Sequence, residues 1–285
     1  MRNEQEIMEL VLQTAQQDDR IRAVTMNGSR SDPNASKDRF QDYDIVFFVT
    51  ELSSFLSQPD WIDCFGERVI LQTPEDMELF PPSLGGWFTY LMLFEDLNRI
   101  DLMLIPVSDV ARYAEQGEPT VPLLDKDGIL PKFPAPSDQA FWVKRPSRQC
   151  FLDCCNEFWW LAPYVAKGIA RKELFYASEH LSSMRKQLMT MISWKVGAFN
   201  HFQVSVGKMG RYLPRYLTEE ELAPVYSALR ADSLEHCRES LEKLLDLFSQ
   251  YSKWVSKELS YPYPDHEEKV TAYLKRLSFF NDTNR

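Results

Sequence analysis

Two carboxylates one residue apart, Asp42 and Asp44, open the apolar run Ile45-Val46-Phe47-Phe48-Val49. A run this rich in β-branched and aromatic residues predicts a strand over 42–50. Side chains at i and i+2 of a strand share a face, so Asp42 and Asp44 project together while Tyr43 and Ile45 point the other way. Like charges that close raise each other's pKa unless a cation shares them. Magnesium takes hard oxygen ligands, commonly one or two carboxylates completed by substrate phosphates. The pair at the strand's edge fits that demand.

A second element stands eleven residues upstream, where IRAVTMN (21–27) reads as a strand stopped by Gly28-Ser29-Arg30. Glycine lets a backbone approach a phosphate closely. Free N–H groups and a serine hydroxyl at such a turn are suited to phosphate oxygens. A third acid, Asp101, lies within Arg99-Ile-Asp-Leu-Met-Leu-Ile105, enclosed in sequence by Ile100, Leu102 and Leu104. Partial desolvation there is expected to raise its pKa. Each signal alone is weak, since Gly-Ser is ordinarily a turn and an Asp-x-Asp ordinarily a solvated strand end. The ordered set is more specific.

The remaining punctuation divides the chain in two. Residues 4–17 place Ile7, Leu10, Val11 and Ala15 at helical spacing. ERVILQ (67–72) reads as a strand, and 85–107 as a hairpin turning at Glu95-Asp96-Leu97-Asn98. The first part is thus a mixed α/β unit of four or five strands. Five prolines between Pro122 and Pro146 mark residues 120–148 as a linker or wrap-around segment. Beyond it the pattern is helical: 151–168 with Gly168 as its C-terminal cap, 171–197, a helix opened by the capping box Thr218/Glu221, 232–260, and a last helix from Asp265. The expected class is α+β, with a mixed-sheet domain over 1–135 and an all-helical bundle over 136–285.

Charge follows the same division. The net charge is −10, and residues 1–150 hold 25 acidic against 14 basic residues, while 151–285 hold 17 against 18. No basic face of the kind a nucleic-acid binder needs is indicated. Cations, metals and polycationic small molecules are the expected partners. No run approaches the length a membrane span needs, and the start, with Glu4, Glu6 and Glu9, does not resemble an export signal, so a cytoplasmic monomer with no membrane partner is expected. The five cysteines, an odd number without metal-ligand spacing, read as free thiols.

The order strand, Gly-Ser, a gap of about a dozen residues, Asp-x-Asp on a second strand and Asp on a later one resembles the nucleotidyltransferase superfamily of DNA polymerase beta. The segments RIRAVTMNGSR (20–30), KDRFQDYDIVFFV (37–49), DWIDCFG (60–66), TPEDMELFPP (73–82), YLMLFEDLNRIDLMLIP (90–106), CCNEFW (154–159), PYVAKGIARKE (163–173) and MISWKVG (191–197) closely resemble the aminoglycoside 6-adenylyltransferases. That resemblance runs over almost the whole chain and is firmest over residues 1–210. It implies a polymerase beta-like catalytic domain with a helical domain that clamps substrate and nucleotide. It implies AMP transfer from ATP to a hydroxyl of streptomycin, the 6-OH, with release of pyrophosphate. It implies that Asp42 and Asp44 hold Mg2+ and that Gly28 and Ser29 hold the triphosphate. Asp101 is expected as general base, the rival being a third metal ligand with Glu179 taking the proton.

Other candidates are less distinctive. Arg30, Lys195 and Lys208, with Arg211, are the cations for the phosphates; Glu157, Glu179 and Trp87 are the candidate contacts to the acceptor. The ordinary reading of each helical Glu or Lys is solvated surface. Phe158, Trp159, Trp160 and Tyr164 read first as core and second as a wall for a ring. Two other functions compete: the same chemistry on another aminocyclitol, a lincosamide or a protein hydroxyl, and a non-catalytic nucleotide-binding partner. Retention of Asp42, Asp44 and Asp101 together argues against the second.

Overall fold

A computed structural model of the chain describes residues 2–277. It falls into two compact units, one ending at Ala140 and the other beginning at Phe141. The first unit contains α1 (Glu4–Gln17), β1 (Ile21–Met26), α2 (Gly28–Ser31), β2 (Tyr43–Val49), α3 (Ser53–Leu56), β3 (Arg68–Gln72), β4 (Phe88–Phe94), β5 (Arg99–Pro106), α4 (Val110–Ala114) and β6 (Val121–Asp125). Asn3 starts α1 with a reciprocal capping box to Glu6.

Among the described residues the strands form one mixed sheet in the order β3-β4-β5-β2-β1-β6. All its pairings are antiparallel except β2 with β5, which run parallel. Both faces of β2 are buried, as a near-continuous apolar strand requires. Ile45, Phe47 and Val49 enter the core that includes Ile7 and Val11 of α1, together with Ile100, Leu102 and Leu104. Val46 and Phe48 face a smaller core with Trp87, Ile105, Val110 and Tyr113. The period of two therefore puts Asp44 and Asp101 on the side of the smaller core.

The sheet has one strand more than the sequence suggests. Val121–Asp125, inside the proline-rich segment, pairs with β1 at the sheet's edge, with an irregularity between Val24 and Thr25, where Pro122 stands opposite. An edge strand tolerates a residue without an N–H, which is why the proline there does not prevent pairing.

The second unit is helical: α5 (Arg148–Ala170), α6 (Leu174–Phe199), α7 (Glu219–Ser227), α8 (Leu234–Leu259) and α9 (His266–Arg276). Its core is built from apolar stripes of α5, α6 and α8, with Phe158 stacked on Phe248 at 3.7 Å between ring centroids. Thr218 and Glu221 form the expected capping box of α7. Gly168 is not a cap. The helix continues to Ala170, and a side chain at Gly168 would meet the Ala177 backbone N at 3.2 Å, so glycine here lets α5 and α6 approach. No helix among the described residues is long and apolar enough to cross a membrane. Cys154 and Cys155 are buried in the helical core, and burial pushes the Cys155 thiol up to about 12, which leaves it unreactive.

Candidate active site

The turn after β1 is stitched to β2 and then tightened from below. The Asn27 backbone N–H donates to the Asp44 carbonyl at 2.9 Å. The buried Tyr113 hydroxyl donates to Asn27 Oδ1 and lies 2.9 Å from Thr25 Oγ1, and Ser31 Oγ donates to the Met26 carbonyl at 2.8 Å. These bonds press Gly28 onto the acid of the next strand: a Cβ at Gly28 would stand 1.8 Å from Asp44 Oδ2. The glycine also has φ +67°, so both space and backbone exclude a larger residue. Ser29 accepts at its carbonyl from Gln41 Nε2, 3.0 Å away, while nothing among the described residues engages its hydroxyl.

The parallel register pairs Asp44 directly with Asp101, and Asp42 precedes β2 on the same face. Three acids thus meet across two strands. Arg99, two residues before Asp101 on its own strand face, grips it with both arms: Nε to Oδ1 at 2.7 Å and Nη2 to Oδ2 at 2.8 Å. Its Nη1 is 3.6 Å from Asp42 Oδ2. Asp44 accepts no hydrogen bond at its carboxylate among the described residues. Burial first, then the Asp101 and Asp42 charges, raise its pKa from the ordinary 3.8 to about 6. Burial also raises Asp42, against the pull of Arg99.

At Asp44, desolvation is the first cause of the rise. Ile100, Leu102 and Leu104 point into the opposite core, and Asp101 has a guanidinium for company instead. Arg99 was missed in the sequence, although an arginine two positions from an acid in a strand shares its face by the same period that aligned Asp42 with Asp44. Tyr113 carried no local signal, since it lies 86 residues from the Asn27 it supports.

No group of three or more His, Cys, Asp or Glu side chains among the described residues is arranged to hold a metal ion by itself. Asp101 is held by Arg99. The donor set that remains, Asp42 and Asp44, fits magnesium. Both offer hard oxygens, and the unpartnered Asp44 carboxylate, its pKa raised by burial and then by its acidic neighbours, is the group a divalent cation would relieve. Two carboxylates plus phosphate oxygens make up the usual shell.

The other candidates separate clearly. Arg30 turns back under the loop: its Nε and Nη2 donate to the carbonyls of Asp42 (3.1 Å) and Gln41 (3.0 Å), Nη1 pairs with Glu4, and its Cζ lies 3.7 Å from the Tyr43 ring centroid. It positions the acid loop. Trp87 must be corrected. It is 3% exposed, its indole N–H is spent on Asp109 Oδ2 at 2.7 Å, and it packs in the smaller core, so it has no face for an acceptor. In the helical unit Glu157 and Glu179 are exposed on α5 and α6, and Lys208 is exposed on a short turn. Lys195 pairs with Glu221 and lies over the Tyr251 ring. Phe158 and Trp159 are core, whereas Trp160 is 62% exposed.

The model of a family described as streptomycin adenylyltransferase matches residues 1–277. An aminoglycoside 6-adenylyltransferase of Bacillus subtilis is 43% identical over 97% of this chain and 98% of its own length. One of Campylobacter jejuni is 44% identical over 97% and 96%. A crystal structure of a Bacillus subtilis aminoglycoside 6-adenyltransferase, 40% identical, covers 98% of this chain and 99% of its own, with a TM-score of 0.49.

Proposed function

We propose that this chain, which belongs to the streptomycin adenylyltransferase family, moves AMP from ATP onto the 6-hydroxyl of streptomycin and releases pyrophosphate. It is a nucleotidyltransferase, as its curated relatives are. The carrying observation is the register that sets Asp44 against Asp101, beside Asp42, with Gly28 closed down on the Asp44 carboxylate.

The residues divide the work by what each is free to do. Asp42 and Asp44 would hold Mg2+ together with the ATP phosphates. When bound, the ion would supply charge neutralisation at the reacting phosphate and the leaving pyrophosphate. The turn at Gly28 keeps the backbone close enough for phosphate oxygens to reach its N–H groups, and the unengaged Ser29 hydroxyl adds a donor. A sugar hydroxyl is a poor nucleophile at neutral pH. A carboxylate within hydrogen-bond reach takes its proton as the new oxygen–phosphorus bond forms and the bond to the β-phosphate breaks. Asp101 is that carboxylate, and Arg99 fixes the orientation of its two oxygens. Lys195 and Lys208 are the helical unit's candidates for the phosphates, and Glu157 and Glu179 its candidates for the guanidinium groups of the drug, since carboxylates pair with guanidinium in bidentate fashion. We place the enzyme in the cytoplasm, where ATP is available, and expect a monomer.

The test is single-turnover transfer of label from ATP to streptomycin by the wild type, Asp42→Asn and Asp44→Asn, with folding checked by circular dichroism. Each variant should fold and lose transfer to background. Wild-type turnover in either removes the acid pair from the reaction, and a folded wild type that adenylylates other aminoglycosides but not streptomycin overturns the acceptor.

A further inference from the structure

The helical unit has a cavity whose chemistry the acid site does not use. It lies where α9 packs on α5 and has a volume of about 570 Å3. Trp160, Tyr164 and Tyr273 give it aromatic walls, with Trp159 behind them, and Lys167 and Arg276 give it charge. None of the described residues lining it is acidic.

Three observations point to what would fill it. First, the two cations converge on one ring: Lys167 Nζ is 5.7 Å and Arg276 Cζ 5.9 Å from the Tyr273 centroid. A third, Lys269, is already paired with Asp265, but among the described residues no carboxylate pairs with Lys167 or Arg276. Two like charges drawn to one place without an acid are best satisfied by a dianion. Second, the aromatic faces beside them suit a planar ring, which stacks while its charge meets the cations. Third, Trp159 is 2% exposed, and its buried indole N–H has no acceptor among the described residues. An orphaned buried donor is rare in a native fold and marks a place where an acceptor is missing.

We propose that this cavity binds a planar aromatic ring carrying a phosphate, with a nucleoside monophosphate as its simplest form, by the helical unit's own residues and without a metal ion. Phosphate is favoured over carboxylate because its second charge answers the second cation, and the volume holds a base with its sugar. The site is independent of the adenylyl-transfer reading.

The experiment uses the full chain with Asp44→Asn, in EDTA, titrated with AMP and followed by tryptophan fluorescence and by the shift in unfolding temperature. A saturable quench, from Trp160 on the wall, and a rise in unfolding temperature are expected together. Adenosine and ribose 5-phosphate, which lack the charge and the ring in turn, should each bind at least about tenfold more weakly, the size of one lost charge-assisted or stacking contact. Lys167→Gln with Arg276→Gln should weaken AMP by a similar factor while leaving the ligand-free unfolding temperature and magnesium-dependent transfer in the Asp44-containing chain unchanged. Absence of any saturable change in both readouts overturns the site, as does unaltered affinity in the double variant. Adenosine binding as tightly as AMP overturns the role of the cations. None of these failures would alter transfer by the wild type, so they are separable from a failure of the proposed function.

Discussion

The acid edge of the sheet unit and the Lys195–Glu221 pair of the helical unit treat charge in opposite ways. In the sheet unit, Asp42, Asp44 and Asp101 lie around the Arg99 guanidinium, and the half-buried Asp44 carboxylate accepts no hydrogen bond among the described residues. In the helical unit, Lys195 and Glu221 are matched, and Glu221 also completes the cap of α7 through the Thr218 backbone N–H. A fold spends stability to keep a buried charge unpaired, and such groups cluster where chemistry is done. The difference teaches that the acid edge is built for a visitor, whereas the Lys195–Glu221 pair helps hold its own unit together.

The largest effect expected from that contrast is on transfer. Asp101→Asn should fold, keep MgATP affinity by isothermal titration and lose about 10²- to 10⁴-fold in single-turnover rate, the usual worth of a general base. Arg99→Gln should fall in the same direction by roughly 10- to 100-fold, as the loss of a group that orients another does. A drop in MgATP affinity in Asp101→Asn would assign it to the metal instead. Unchanged transfer would remove it from the mechanism.

A middle-sized effect should appear in stability, with a sign that ordinary mutations lack. The folded chain holds the Asp44 proton up to about pH 6, whereas an ordinary carboxyl loses it near 3.8. The corresponding stability is therefore fully present below pH 3.8 and is lost as pH rises through about 6. At pH 7 in EDTA the folded state carries the cost of the charge, and Asp44→Asn should be more stable than wild type by about 3 kcal/mol. The gap should close as pH falls towards 4. Urea unfolding at the two pH values measures it, and a variant less stable than wild type at pH 7 would break the contrast between the units.

The smallest effect belongs to the helical unit. Lys195→Ala removes one partly exposed pair and should cost less than about 1 kcal/mol. Glu221→Ala loses the same pair and the cap, and should cost roughly 1 kcal/mol more. Equal costs for the two would show that the cap contributes nothing. An unchanged ATP KM in Lys195→Ala would take that lysine out of phosphate binding.

Local rules carried much of this molecule. The period of two placed Asp42 and Asp44 on one face, the apolar stripes placed the long helices, and the Thr218/Glu221 pattern placed a helix start. These rest on interactions within a few residues, which sequence spacing encodes directly. The order Gly-Ser, Asp-x-Asp, Asp was legible in the residues, and its resemblance to known enzymes added the family. The spacing could not say which acid goes without a donor, because that depends on where flanking side chains go once strands pair. Ile100, Leu102 and Leu104 turned into the opposite core, Arg99 took Asp101, and Asp44 was left without a donor. Nor could it show that Gly28 is held against Asp44, that Tyr113 braces Asn27 from 86 residues away, that Val121–Asp125 joins the sheet, or that Trp87 is sealed inside. Each of these is a contact between residues far apart in the chain, and only the packed structure fixes which distant groups exclude water from one another.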